Sequence, residues 1–304
     1  MRLRFLVIAL FALLGTDPAC AGSSPPQVLA TIKPIHSLVA AVMAGVGTPQ
    51  LLIGGAVSEH SYVLKPSDAE KIASAKVVFW VGPDLETYLM ARLGSLAPDT
   101  RVVALQNAPG VRGLPARPGG FWPTPAGSDG HINPHLWLDP RNAIAMTRAI
   151  AATLSRADPA DAKHYAANAA GEIKRIANLD RALAAKLAPV RTRPYIVFHD
   201  AYQYFEAHYH LNAIAAVTVE PDRPVGPRRI GELRDAIKAG KALCIFREPQ
   251  FAPALIETLA ADTPIRIGVL DPLGADLSPG PDLYPALMTG LAASVVRCLS
   301  PHHP

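Results

Sequence analysis

Leu51-Leu52-Ile53-Gly54-Gly55-Ala56-Val57-Ser58-Glu59-His60-Ser61-Tyr62-Val63-Leu64-Lys65-Pro66-Ser67-Asp68 runs from an apolar, strand-like segment through a glycine pair into a polar loop. Ala69 to Ala75 then reads as a short helix, with Ser67 or Asp68 available as its N-cap. Strand, loop and helix in that order form the repeating unit of an α/β sheet. The order places Glu59 and His60 beyond a strand's carboxyl end, where such sheets bind their ligands. A single loop histidine is weak evidence of a site. Three later segments share the layout, however, each an apolar run ending in a side chain able to hold a metal. They are His135 in Asn133-Pro134-His135-Leu136-Trp137, His199 in Tyr195-Ile196-Val197-Phe198-His199, and Asp271 in Ile267-Gly268-Val269-Leu270-Asp271.

Outward from that stretch, strand-like and helix-like runs alternate along most of the chain. Val28 to Ile32, Leu51 to Gly54, Lys76 to Val81 and Val102 to Leu105 read as strands, with helices over Ile35 to Met43 and Leu85 to Leu93. A second series follows, with strands at Tyr195 to Phe198, Asn212 to Val217, Ala242 to Phe246 and Arg266 to Leu270. Helices over Tyr202 to Tyr209, Arg228 to Ala239, Ala254 to Ala260 and Tyr284 to Cys298 separate or close these strands. Between the two series, Asn142 to Leu154 is helical. Asp158-Pro159 then opens a helix that runs to about Leu187, read as a rigid connector, with an ordinary helix inside one domain as the other reading. The expected fold is α/β, two lobes with mostly parallel sheets joined by a single long rigid helix. The lobes are expected over 27–157 and 189–304, with the helix at 158–188. Residues 106–131 are rich in proline and glycine without periodicity and read as a long, mobile surface loop.

The 304 residues suffice for two domains, each with its own core. Half the residues are apolar and 18% are charged, as in a folded chain. The net charge of +4 comes from scattered Lys and Arg without a dense basic run, which argues against nucleic acid as a partner. Arg2, Arg4, the apolar Phe5 to Leu14 and the small residues of Ala19-Cys20-Ala21 form the pattern of a signal peptide over 1–21. That pattern predicts export. Removal of Cys20 would leave Cys244 and Cys298, either bridged or as two buried thiols.

Three imidazoles and a carboxylate suit a divalent metal of borderline softness, above all zinc. Four protein donors close the shell, whereas a hydrolytic zinc keeps a position open for water. Glu59 is placed to act as a general base, as support for a ligand, or as the fourth donor itself. No His-Glu-x-x-His pair, Gly-x-Ser-x-Gly elbow or phosphate-binding glycine loop occurs, so binding is expected rather than catalysis.

Several motifs together resemble one family. They are Thr31-Ile32-Lys33-Pro34-Ile35-His36, Glu59-His60 with Lys65-Pro66-Ser67-Asp68, Asn133-Pro134-His135, Phe198-His199-Asp200-Ala201-Tyr202, Glu248-Pro249-Gln250-Phe251 and Leu270-Asp271-Pro272-Leu273-Gly274. From about Val28 to Leu299 the chain resembles the periplasmic zinc-binding proteins of ABC importers, within the cluster of zinc and manganese solute-binding proteins. The resemblance implies capture of Zn(II) in a cleft between lobes and delivery to an inner-membrane ABC permease, by a monomer in the periplasm. It implies His60, His135, His199 and Asp271 as ligands, with Glu59 as an additional contact. It implies too that Cys244 and Cys298 form a disulfide. A histidine at 199 resembles the zinc branch, since manganese-type members carry a carboxylate there; a manganese importer of the same fold is the nearest alternative, and a secreted zinc hydrolase a more distant one. The 106–131 loop departs from the family pattern: many relatives have an acidic, His-rich loop there, and this one has His131 alone.

Overall fold

The computed structural model describes residues 25–117, 121, 131–219, 221 and 224–301. The expected signal peptide, with Cys20, lies outside the described residues. In the first half, β1 (Val28–Ala30), β2 (Gln50–Leu51), β3 (Val77–Trp80) and β4 (Arg101–Ala104) form a parallel sheet in the order β2-β1-β3-β4. Helices α1 (Lys33–Met43), α2 (Pro66–Ser74) and the one-turn α3 (Met90–Leu93) connect them. The second half repeats the plan. There β5 (Tyr195–His199), β6 (Ala213–Thr218), β7 (Cys244–Arg247) and β8 (Arg266–Val269) lie parallel in the order β6-β5-β7-β8. Their helices are α6 (Gln203–Tyr209), α7 (Pro227–Lys238), α8 (Ala254–Ala260) and α9 (Leu283–Leu299). The inner strands β3 and β5 are buried along their whole length, because a parallel sheet is covered by helices on both faces.

Between the halves run α4 (Pro140–Ala157) and α5 (Ala162–Leu187). The 26 residues of α5 reach about 39 Å. Its buried residues Tyr165, Ala169, Glu172, Ile176, Leu183 and Leu187 follow the spacing of one helix face. That face packs on α4 and α1 from the first half and on α9 from the second. One continuous core therefore runs from Val28 to Leu299 through both halves, and a smaller core lies on the far face of the second sheet. Bonds cross the junction as well. Buried Lys33 donates to the carbonyls of Gly274, Ala275 and Leu277, at 3.0, 2.6 and 3.0 Å. Trp137 Nε1 donates to Pro272 O at 2.8 Å. Hinge motion between the sheets would break this shared packing, so the junction is stiff. A disulfide joins Cys244 on β7 to Cys298 on α9, with the Cα atoms 6.2 Å apart.

Three local expectations change. Helix α2 starts two to three residues earlier than an N-cap at Ser67 or Asp68 allows: Lys65 is the cap, and the Asp68 carboxylate inside the first turn accepts its backbone N–H at 2.9 Å. A continuous helix over 85–93 does not form. The Glu86 carboxylate folds back to accept from the N–H groups of Val81 and Gly82, at 2.8 and 3.2 Å, and this holds the segment in a turn. The 106–131 segment, where described, is a fastened strap and not a free loop. Leu114 N–H donates to Tyr204 Oη at 2.8 Å, Arg117 Nη1 donates to Asp200 and Glu206 at 3.1 and 2.8 Å, and Phe121 bridges to Ala215 on β6. Proline and glycine hid those anchors because the partners lie some ninety residues further along the chain.

Candidate metal centre

Both sheets point their carboxyl ends toward the junction, and the candidate residues ride on those ends. His199 is the last residue of β5, which has neighbours on both sides. His135 enters from the β4–α4 connection, where a 3₁₀ turn over Leu136–Leu138 buries Trp137 completely. Glu59 and His60 come from the β2–α2 loop.

Their side chains converge. His135 Nε2 lies 3.3 Å from His60 Nε2 and 3.2 Å from His199 Nε2. Glu59 Oε1 lies 3.6 Å from His135 Nε2 and 3.9 Å from His60 Nε2. All four donor atoms fall within 4.8 Å of one another. The nitrogen spacings match the edge of a tetrahedron around zinc, about 3.3 Å for Zn–N bonds of about 2.05 Å.

The supporting hydrogen bonds fix which nitrogens carry lone pairs. Asn133 Nδ2 donates to Asp200 O at 2.6 Å, so its Oδ1 is the acceptor facing His135 Nδ1 at 2.9 Å. His199 Nδ1 faces the Glu248 carboxylate at 2.7 Å. Both imidazoles thus spend their N–H on these partners and turn Nε2 lone pairs toward each other. Two lone pairs that close need a positive charge between them, a proton or a metal ion. Glu59 Oε1 adds a buried carboxylate oxygen with no hydrogen-bond partner. Three nitrogens and an unpartnered anionic oxygen around one point fit a divalent cation better than a proton.

Burial shapes the titration of the three rings in different ways. His60 is pushed down to about 3, chiefly by burial; Glu59 opposes the shift and the neighbouring imidazoles reinforce it. His135 falls well below its ordinary value through burial and the adjacent His199. Burial, the largest single effect, lowers His199, but the Glu248 carboxylate together with Glu59 and Asp200 outweighs it and the net shift is upward. Only His60 keeps measurable side-chain exposure, 21% against 2–3% for the other three residues, so the centre meets solvent on its side.

Asp271 is placed differently from the other expected ligands. Its carboxylate accepts from the backbone N–H groups of Leu273, Gly274 and Ala275, at 3.0, 2.9 and 2.5 Å, and from Gln250 Nε2 at 2.8 Å. It does not belong to the converging group of donor atoms. Asn133 and Glu248, to which the sequence assigns no role, hold the rings of His135 and His199. An Asn two residues before a candidate ligand, and a Glu at the end of the strand beside the ligand's strand, were the available signals. His208 sits between Asp180 (2.7 Å) and Asp139 (3.3 Å).

Fold and centre together define a class: a two-lobed α/β protein with a candidate cation site where the sheets' carboxyl ends meet. Residues 28–298 match the sequence model of the family described as zinc-uptake complex component A, periplasmic. The high-affinity zinc uptake system protein ZnuA of Brucella suis is 43% identical, over 90% of this chain and 91% of that protein. Among solved structures, a crystal structure of ZnuA superposes with a TM-score of 0.78 at 23% identity, covering 91% of this chain and all of that one. The periplasmic zinc-binding protein TroA from Treponema pallidum gives 0.80 at 22%, again over 91% of this chain. The chain belongs to the family of zinc-uptake complex component A, a family of solute-binding proteins. Among the described residues no helix is long and apolar enough to cross a membrane.

Proposed function

We propose that this protein captures Zn(II) at Glu59, His60, His135 and His199 and passes it to the permease of an ABC importer. The observation that carries the reading is the convergence of three Nε2 atoms, with His135 at tetrahedral-edge spacing from both other rings, beside a buried carboxylate oxygen that has no hydrogen-bond partner. Glu59 takes the fourth position in preference to Asp271, whose oxygens are occupied by backbone amides. Four protein donors leave no position for a reactive water, which favours carriage over hydrolysis. A single chain supplies all the donors, as a monomeric working unit requires. The division into lobes at 27–157 and 189–304 with 158–188 between them, export by residues 1–21, and action in the periplasm belong to the same proposal.

Competitive titration of chelator-stripped protein tests it. The expected result is one tightly bound zinc per chain that excess manganese does not displace, with the affinity lost in His135→Ala. Preferential manganese binding would replace the reading with that of a manganese carrier. Turnover of ester, peptide or phosphate substrates by the zinc-loaded protein would replace it with that of a hydrolase.

A further inference from the structure

Among the described residues β4 is the outer strand of the first sheet and pairs only with β3. Arg101 N–H donates to Lys76 O at 2.9 Å. Successive residues of a strand turn their backbone groups to opposite edges, so the amides of Val102 and Ala104 face away from β3. Beside this edge runs a groove of about 640 Å³, floored by Val102, Val103, Ala149 and Ala152 and rimmed by Arg148 and Arg156 of α4. Val102 is 37% exposed there. A neighbouring groove shares Arg148 and adds Arg112 and Arg141. Neither groove is lined by an aspartate or glutamate, and α4 contains none from Pro140 to Ala157. Arg141 is matched by Asp139 at 2.9 Å. Arg112, Arg148 and Arg156 have no ion-pair partner among the described residues. The surface combines an unpaired strand edge, a shallow apolar floor and uncompensated positive charge.

We propose that this groove binds an extended acidic segment of a partner protein, which adds a strand to the outer edge of β4. Backbone groups of the incoming segment pair with the outward amides and carbonyls of β4, and its carboxylates pair with the arginine rim. The dimensions agree. Arg148 and Arg156 both line the groove and stand eight residues apart on α4, about 12 Å along its axis and about 80° around it. An extended chain covers that distance in about four residues at about 3.3 Å each. Acidic side chains at positions i and i+4 of the segment therefore share a face and reach the two guanidinium groups. A small residue at i+2 lies over Ala149 and Ala152, where larger helix residues would have closed the groove. The simpler role for the arginines is to guard the edge against self-pairing. A membrane surface would use the arginines without the strand edge. The inference does not depend on the zinc centre, which lies on other loops.

The test uses the full chain loaded with zinc and a fluorescein-labelled, acetylated and amidated heptapeptide, Thr-Glu-Val-Ala-Val-Glu-Thr, followed by anisotropy. Saturable binding is expected, absent for the same peptide with lysines in place of its glutamates. Reversal of the rim in R148E/R156E should weaken binding by at least about tenfold. V102P removes an outward N–H without touching the pairing to β3, and should weaken it by about tenfold while zinc binding stays unchanged. A152W fills the floor from an exposed position and should abolish binding even if V102P compromises the sheet. No saturable binding at millimolar peptide would overturn the proposal and leave the arginines as edge guards. Binding lost in the rim variant but retained in both V102P and A152W would also overturn it, because charge alone would then suffice.

Discussion

Nδ1 of His199 lies 2.7 Å from Oε2 of Glu248, and both side chains are buried. Glu248 also accepts the His199 backbone N–H at 3.4 Å, so one carboxylate holds both the ring and the strand end. β5 and β7 are adjacent parallel strands, and this adjacency brings the two residues together from forty-nine positions apart. The carboxylate fixes the tautomer that aims Nε2 into the centre and makes that nitrogen more basic. A carboxylate–histidine pair of this kind orients a candidate ligand from behind, without itself belonging to the converging donor atoms.

Glu248→Gln should lower zinc affinity about 10- to 100-fold. The amide keeps a hydrogen bond to the ring but loses the charge. Isothermal titration with a competing chelator measures the effect. An affinity equal to that of the unmodified protein would show that Glu248 serves packing alone.

Glu59 and Asp271 make opposite predictions. Glu59→Gln removes the anionic oxygen that has no other partner, and should reduce zinc affinity by about tenfold or more. Asp271→Asn should leave zinc stoichiometry intact and instead destabilise the 271–275 turn by about 1–3 kcal/mol, because its carboxylate serves three backbone amides. Chemical denaturation and zinc titration of the two variants separate the roles. Loss of zinc in Asp271→Asn with retention in Glu59→Gln would exchange them.

Glu86 gives the metal-free protein a pH dependence of known sign. Burial pushes its carboxyl up from 4.5 to about 7, against the hydrogen bonds from Gly82 and Val81 that favour the ion. The folded state thus holds this proton more tightly than the unfolded one. The stabilisation from holding it is full below about 4.5, declines as pH rises to about 7, and is gone above that. The decline amounts to something on the order of 3 kcal/mol. In Glu86→Gln this slope should be absent from unfolding curves measured between pH 4.5 and pH 8, while the remaining pH dependence stays.

The Cys244–Cys298 bridge closes a stretch of 54 residues between β7 and α9. Loop-closure entropy for that length corresponds to about 4 kcal/mol, and the measured loss on replacing both cysteines with serine should be about 2–4 kcal/mol. Zinc affinity should be unchanged, since the bridge lies on the second sheet away from the converging imidazoles. A large change in affinity would mean that the bridge shapes the centre.

Much of this protein can be read from local pattern. Among the described residues the strands follow apolar runs bounded by polar or glycine-rich turns, each within a few residues of its expected bounds, and the inner strands β1, β3 and β5 carry continuous apolar character because both their faces are covered. The long helix is found over Ala162–Leu187, starting three residues after the proline of its expected Asp158-Pro159 opening, and α8 is found over Ala254–Ala260 as expected. His60, His135 and His199 were candidates because each ends or follows a strand-like run, and strand ends are where an α/β sheet exposes side chains to a ligand. Tertiary structure alone decided the rest. Asp271 has the same strand-end placement as the histidines, yet its carboxylate is taken by the amides of its own turn, a local geometry that residue type does not reveal. Glu59 stands beside His60 in the chain, but its unpartnered oxygen exists only because three imidazoles from distant segments enclose it. The strap is fastened by Tyr204, Asp200 and Glu206 through contacts that span more than eighty residues. Periodicity records which faces are apolar, a property each segment carries by itself; the pairing of buried polar atoms depends on which segments the fold brings within hydrogen-bond distance, and that is settled only when the chain closes on itself.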